Sequence, residues 1–241
     1  MDNKPRAIFF DLDDTLIADD FLSEGVWREV CARYAPRLEG VTPDRLYTLI
    51  RSTASAYWAD AERHRRGRLE LYKTRRNLVV KALVDSGTGS EALGQEIADS
   101  YSALKEQLIA PVPGAIETLE KIRQKGIRLA LITNGGSEVQ RKKLERFGLS
   151  AFFEYILVEG EFGAGKPDAR VFQSCLANLG VKPEEVWMVG DDLNRDIGGA
   201  LPLGIRAIWV DWRGKGLPPD SKIKPWTTIK AVPELLSEIM D

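Results

Sequence analysis

Four short clusters of reactive residue types lie along this 241-residue chain. They are Asp11-Leu-Asp13-Asp-Thr15, Thr133-Asn134-Gly135-Gly136, Gly165-Lys166-Pro167-Asp168 and Gly190-Asp191-Asp192, with Asp196 shortly beyond. Between them they offer carboxylates, a hydroxyl, an amide-rich turn and a lysine. Two unit charges about 4 Å apart repel by about 4 kcal/mol at an effective dielectric near 20. Asp11, Asp13 and Asp191 gathered at one rim would therefore be costly alone and well suited to a hard divalent cation. Few carboxylates, with room left for water and a phosphate oxygen, describe a Mg²⁺ site better than a Ca²⁺ cage. Lys166 would offset remaining negative charge. Thr133, with Asn134 and Gly135 after it, would supply donors for phosphate oxygens.

Each cluster also has a plainer reading. Asp11-x-Asp13 alone is a turn or a fragment of a calcium loop, but the loop's sixth position is Leu16 rather than Gly and its twelfth is Leu22 rather than Glu. Gly160 to Lys166 nearly spells a P-loop, yet the next residue is Pro167, which has neither hydroxyl nor N–H. Lys166 alone is a solvated lysine, and Asp191-Asp192 alone a helix cap. What outweighs these readings is position, because all four clusters follow predicted strands.

The elements that must position them alternate. Residues 6–10, 127–132, 155–158, 186–189 and 205–210 are short apolar runs of strand type. Helical spacing separates them: Ile116, Leu119 and Ile122; the run opening at Ser137-Glu-Val-Gln140, which has capping-box form; then Val171, Phe172, Cys175, Leu176 and Leu179. Such alternation predicts an α/β fold, a doubly wound, Rossmann-like parallel sheet covered on both faces. In such sheets ligands bind outside the carboxyl ends of the strands, where the four clusters fall. If Asp11 continues the first strand, Asp11 and Asp13 share a face.

Residues 18–111 interrupt this pattern with helical periodicity throughout, including Leu46, Leu49, Ile50, Tyr57 and Trp58 after a Thr42-Pro43 helix start. The expected domains are an α/β catalytic core of residues 1–17 and 112–241 and an inserted helical cap of residues 18–111. Past Asp211, a loop over Lys215–Pro225 and an extra strand and helix (Val232, Leu235, Leu236, Ile239) are expected, with no assigned chemistry.

Composition narrows the chemistry. With 34 Lys+Arg against 36 Asp+Glu, the net charge of -2 argues against a nucleic-acid-coating surface. A single histidine, His64, leaves no seat for Ser-His-Asp or H-E-x-x-H chemistry, and Cys31 and Cys175 are too few for a disulfide framework or a zinc cluster. No stretch approaches a membrane span. The expectation is a reduced, soluble, cytoplasmic protein.

Phe9-Phe-Asp11-Leu-Asp13-Asp-Thr15-Leu16, Ile132-Thr133-Asn-Gly135, Gly165-Lys166-Pro167 and Val189-Gly190-Asp191-Asp-x-x-x-Asp196 resemble the four motifs of the haloacid dehalogenase superfamily. The inserted helices resemble its helical-cap subclass. Within the family, the layout is similar to N-acylneuraminate 9-phosphate phosphatases and nucleoside-monophosphate phosphatases. The resemblance implies that Asp11 is a nucleophile forming an aspartyl phosphate and that Asp13 is the general acid and base. It implies that Thr133 and Lys166 bind the phosphoryl group. Asp11, Asp191 and the Asp13 main-chain carbonyl would hold Mg²⁺, with Asp196 in support. Family members that dehalogenate lack the second Asp, so Asp13 points to phosphoryl transfer. The expected activity is hydrolysis of a small phosphomonoester: a sugar phosphate, sugar-acid phosphate or nucleotide.

Residues 63–76, Arg-His-Arg-Arg-Gly-Arg-Leu-Glu-Leu-Tyr-Lys-Thr-Arg-Arg, are strongly basic. The plain reading is a solvated helical corner. The functional reading puts some of Arg68, Tyr72, Arg75 or Arg76 against the non-reacting part of an anionic substrate, with Arg68 the foremost candidate and His64 exposed. Asp19 and Asp20 could bind substrate hydroxyls or serve as a hinge. The expected partner is a small phosphorylated metabolite, with no nucleic acid and no membrane, in a monomer or weak homodimer. Two rivals remain: a sugar-phosphate mutase using the same Asp11, and a non-catalytic anion- or nucleic-acid-binding module built on the basic segment.

Overall fold

A computed structural model describes residues 4–240. The chain divides into two compact units, one of residues 1–18 and 110–241, the other of residues 19–109. It opens with β1 (Ala7–Phe10), every residue of which is buried, and β2 (Ile17–Ala18). The helical unit follows: α1 (Ser23–Tyr34), α2 (Pro43–Trp58), α3 (Ala61–Leu69), α4 (Leu71–Asp85) and α5 (Glu91–Leu108). The first unit then resumes with β3 (Ala110–Pro111), α6 (Ala115–Gln124), β4 (Arg128–Thr133), α7 (Ser137–Arg146), β5 (Tyr155–Val158) and α8 (Glu159–Phe162). It closes with α9 (Ala169–Leu179), β6 (Val186–Gly190), α10 (Gly198–Ala200), β7 (Arg206–Val210), β8 (Thr227–Ile229) and α11 (Leu235–Met240).

The sheet order is β5-β4-β1-β6-β7-β8, and each pairing is parallel. β1, β4 and β6 are almost wholly buried, which is why their sequences are unbroken apolar runs rather than alternating ones. Phe9, Ala130, Ile132, Phe172 and Met188 share one core with α9. Phe10 lies opposite Leu131 on one side and Val189 on the other. That register brings the carboxyl ends of β4, β1 and β6 side by side. The connections from β1 leave it between strands of different order, which makes the crevice where α/β sheets bind ligands.

Local signals explain the helical unit. Thr42 accepts the Arg45 N–H at 3.2 Å, Asp60 the Arg63 N–H at 2.8 Å and Ser90 the Leu93 N–H at 3.3 Å, so each caps the helix it precedes. Val26, Trp27, Val30, Cys31 and Tyr34 form the inward stripe of α1 and pack with Leu46, Ile50, Val79, Leu83, Ile97 and Tyr101. The Trp27 and Tyr101 rings stack with centroids 3.8 Å apart. Gly94 lets α5 lie against α4, because a Cβ there would stand 2.8 Å from the Val80 Cα.

Both cysteines are buried, and burial pushes both thiols up to about 12, so neither serves as a thiolate. His64 is half-buried with its ring edge-on to Trp58 at 5.2 Å, where exposure was expected; apolar packing against that indole draws it in. Among the described residues, no helix is long and apolar enough to cross a membrane.

Candidate active site

Asp11 follows β1 directly, and its N–H donates to the Val189 carbonyl at 2.9 Å, prolonging the ladder by one residue. Its carboxylate is fixed at both oxygens: Lys166 Nζ donates to Oδ1 at 2.5 Å and Thr15 Oγ1 to Oδ2 at 3.2 Å. Lys166 also stands 2.7 Å from Asp196 Oδ1, and both Lys166 and Asp196 are almost fully buried at 2 % and 1 % exposure. A buried ammonium between two carboxylates is tolerable where an unpaired one would not be. Asn134 sets the lysine's place: its side chain accepts the Lys166 N–H and donates to the Lys166 carbonyl, both at 2.8 Å.

Oxygen atoms of Asp11, Asp191 and Asp196 all lie within 4.8 Å of one another. Burial is the largest influence on Asp11 and raises it to about 7, against the pull of Lys166; on Asp191, burial with Asp11 and Asp196 beside it raises the carboxyl to about 9. Asp196 is likewise raised by burial and held back by Lys166. Burial works against the Lys166 charge, but Asp11 and Asp196 outweigh it and hold the ammonium above the ordinary lysine range. An all-oxygen, buried and mutually repelling set of this kind fits a hard divalent cation.

This corrects two expectations. The carboxylates that cluster are Asp11, Asp191 and Asp196, not Asp11, Asp13 and Asp191. β1 ends at Phe10 and the chain turns through Asp14, in the left-handed region at φ 60°, so strand alternation no longer governs Asp13. The Asp13 carboxylate is carried to α7 instead, where Lys143 Nζ meets Oδ1 at 2.6 Å and Gln140 Nε2 donates to Oδ2 at 2.9 Å. Second, Ser137-x-x-Gln140 is no capping box. Gly136 is the residue before the first turn, Ser137 Oγ donates to Glu161 Oε1 at 2.6 Å, and Gln140 points inward.

The turn after β4 is also built differently from expectation. Thr133, at the strand's end, is buried, and its Oγ1 accepts from Gln140 Nε2 at 2.5 Å. With a lone pair so used, its own hydroxyl proton remains to be donated. The Gly135 N–H goes to the buried Glu159 Oε2 at 2.9 Å and the Asn134 side chain to Lys166, so these two groups hold the turn in shape rather than standing as phosphate donors. Glu159 and Lys143 are the residues that the sequence did not point to, and Thr15 and Gln140 were named there without these roles; an isolated Glu or Lys beside polar neighbours carries no signal of burial.

After β6, Asp192 caps the next turn through the Asn194 and Arg195 N–H groups, both at 2.9 Å. Its own N–H donates to Asp196 Oδ2 at 3.0 Å. Gly190 is required: a Cβ there would lie 2.2 Å from Asp196 Oδ2 and 2.7 Å from Asp196 Cβ. The carboxylate has to pass directly over the glycine to reach Lys166.

In the helical unit the basic segment splits in two. Arg65 and Arg66 pair with Glu62, Arg76 with Asp99, and Tyr72 donates to Glu106. Arg68 and Arg75, with Arg51, Lys105 and His64, line a cavity of about 270 Å³ walled by Trp27, Trp58 and Leu78. Arg75 donates to Ser102 Oγ at 2.7 Å and lies over the Tyr101 ring at 4.7 Å; no carboxylate pairs with it among the described residues. Burial lowers its guanidinium from the usual value, against nearby Tyr101 and Asp19. Asp19 and Lys105 face each other at 2.5 Å on the same wall.

Residues 5–204 match the family described as haloacid dehalogenase-like hydrolase. The chain belongs to this family. Relatives named as phosphatases align over most of its length. A phosphoserine phosphatase of Thermus thermophilus is 33% identical, covering 89% of this chain and 91% of the relative. A glyceraldehyde 3-phosphate phosphatase of Methanothermobacter thermautotrophicus is 31% identical over 86% and 85%. An N-acylneuraminate-9-phosphatase of Rattus norvegicus is 28% identical over 97% and 93%. The fold is also that of the HAD-hydrolase YfnB from Bacillus subtilis, solved bound to magnesium, with a TM-score of 0.73 at 23% identity over 98% and 99% of the two chains.

Proposed function

We propose that this hydrolase of phosphoric monoesters is a Mg²⁺-dependent phosphatase acting through a phosphorylated Asp11. The observation that carries the reading is the separation of two carboxylates by environment: Asp11 held between Lys166 and Thr15 beside Asp191, Asp13 held apart by α7. An Asp11 oxygen attacks phosphorus, and the bond from phosphorus to the ester oxygen breaks. Asp13 gives a proton to the departing oxygen and then takes one from the water that attacks the aspartyl phosphate, freeing Asp11 and inorganic phosphate. Lys166 and the Thr133 hydroxyl take the charge of the phosphoryl oxygens, the dominant need in phosphoryl transfer. The Asp11 and Asp191 carboxylates and the Asp13 carbonyl would hold Mg²⁺, which when bound offsets the charge on nucleophile and phosphoryl group. Asp196 keeps Lys166 in register.

We assign the cavity of the helical unit to an anionic group, through Arg68 and Arg75. An arginine with a hydroxyl and a ring for company, and no carboxylate, is available to an anion. A ligand that fits this cavity would join an anionic group to an apolar body that suits Trp27 and Trp58. The pairing of Arg65, Arg66 and Arg76 with acidic neighbours leaves little of the basic segment for a polyanion, which disfavours the nucleic-acid module.

The test is phosphate release from a panel of small phosphomonoesters, with Mg²⁺ or with chelator, for wild type and Asp11→Asn. Metal-dependent release lost by more than about 10³-fold in the variant is the expected result. Release that persists in Asp11→Asn, or that chelator leaves untouched, rejects the mechanism. Slow release with a requirement for a bisphosphate activator would instead indicate the mutase.

A further inference from the structure

α7 presents an inner stripe of Gln140, Lys143 and Leu144, buried at the spacing of one helical face. Packing would be served by apolar residues at all of these positions. Instead the stripe buries an amide at 1 % exposure and an ammonium at 7 %, groups that are costly to desolvate unless partnered. The geometry shows where the partners are. Lys143 Nζ stands 2.6 Å from Asp13 Oδ1. Gln140 Nε2 lies 2.9 Å from Asp13 Oδ2, 2.5 Å from Thr133 Oγ1 and 3.1 Å from the Asn134 carbonyl. Three acceptors face that one nitrogen, which fixes the amide's orientation.

We propose that Gln140 and Lys143 are positioning residues for proton transfer: they clamp the Asp13 carboxylate, one donor per oxygen, and tie its plane to the Thr133 hydroxyl that faces the phosphoryl group. Asp13 lies past the end of β1, where a single bridge to Ile17 holds its backbone and the chain turns at Asp14, so its carboxylate depends on side-chain partners for its aim. A group that hands a proton to a departing oxygen and then takes one from water needs its lone pairs aimed on both occasions. Misplacement by about 1 Å costs on the order of 10²-fold. The clamp supplies that aim from a rigid helix, and the shared Gln140 makes the acid-base group and the phosphate donor move as one.

The inference rests on Asp13 being the acid and base, and one experiment separates the two. Release of the alcohol in the first turnover is measured for an alkyl ester, phosphoserine or glycerol phosphate, and for 4-nitrophenyl phosphate, whose phenolate leaves without a proton. Asp13→Asn sets the reference. Lys143→Met should slow the alkyl ester by about 10- to 100-fold and leave the aryl ester little changed, with Lys143→Arg restoring most of the loss. Gln140→Leu, which also releases Thr133, should slow both esters, the alkyl one by at least about tenfold more. Selective slowing in Asp13→Asn with wild-type behaviour in both clamp variants overturns the clamp alone. Equal slowing of both esters in Asp13→Asn sinks the acid-base reading and the clamp with it. Circular dichroism reports folding, and if Lys143→Met fails to fold, Gln140→Leu decides.

Discussion

The strand-end rim of the sheet and the cavity of the helical unit are both rich in charge, but they handle it in opposite ways. At the rim the key side chains are answered by a partner of the same chain: Asp11 by Lys166 and Thr15, Asp196 by Lys166, Asp13 by Lys143 and Gln140. In the cavity Lys105 meets Asp19, but Arg75 has a serine and an aromatic ring instead of a carboxylate. A group whose partners are built in is preset for one reaction, because no reorganisation is needed when charge develops. A group left for a ligand to answer is a selector.

If the rim is a preset array, one misplaced member should cost much. Gly190→Ala pushes Asp196 off Lys166, and kcat should fall by about 10²-fold, with overpacking lowering stability by about 1–3 kcal/mol. Kinetics and a denaturant titration read both; a variant with wild-type kcat would mean that the Asp196–Lys166 contact is dispensable.

A smaller and reversible effect follows from the raised carboxyls. Asp11 and Asp191 titrate near 3.8 when unfolded but at about 7 and about 9 in the folded, cation-free protein. Between those values the folded state holds more protons than the unfolded one, so stability falls as pH rises from about 4 to about 9. A divalent cation binds the ionised forms and removes that loss. Mg²⁺ should thus raise the melting temperature more at pH 8 than at pH 5. An equal shift at both, or none, would detach the cation from this cluster.

The cavity should respond more gently and in another parameter. Arg75→Met and Arg68→Ala should each raise KM for the preferred ester by roughly tenfold, about 1.4 kcal/mol, while kcat holds. Arg76→Ala, at the exposed pair with Asp99, should change neither. Equal effects at positions 75 and 76 would return the whole basic segment to a solvated surface.

What sequence could show follows from what was buried and how. The six-stranded sheet was legible because its central strands are enclosed on both faces, so Ile8-Phe-Phe10 and Leu129–Ile132 are uninterrupted apolar runs ended by polar residues. Asp11, Thr133, Lys166 and Asp191 stood out because each begins where such a run or its connection stops. Gln140 was misread because Ser-x-x-Gln spacing is shared by capping boxes and by any helix that turns its fourth residue inward. Asp196 was given a minor place, since the irregular turn at Leu193–Ile197 that swings it over Gly190 has no periodic signature. Glu159 and Lys143 gave no sign at all. A buried charge is specified by its partner, and their partners, Gly135 and Asp13, lie on other elements.

The position of β1 in the sheet has a consequence for how the enzyme is made. Ala7 pairs with Arg128 on one side and Val186 on the other, so the strand that leads into Asp11 is synthesised before both of its neighbours and completed only after β6. Residues 19–109, by contrast, form a unit contiguous in the chain and built of helices, the kind that forms quickly. On the ribosome the helices would assemble while β1 waits as an apolar segment with both edges open, a state prone to misassociation. Pulse-labelled hydrogen exchange during refolding should find α1 to α5 protected before β1; simultaneous protection would show that the sheet recruits its central strand early despite the distance along the chain.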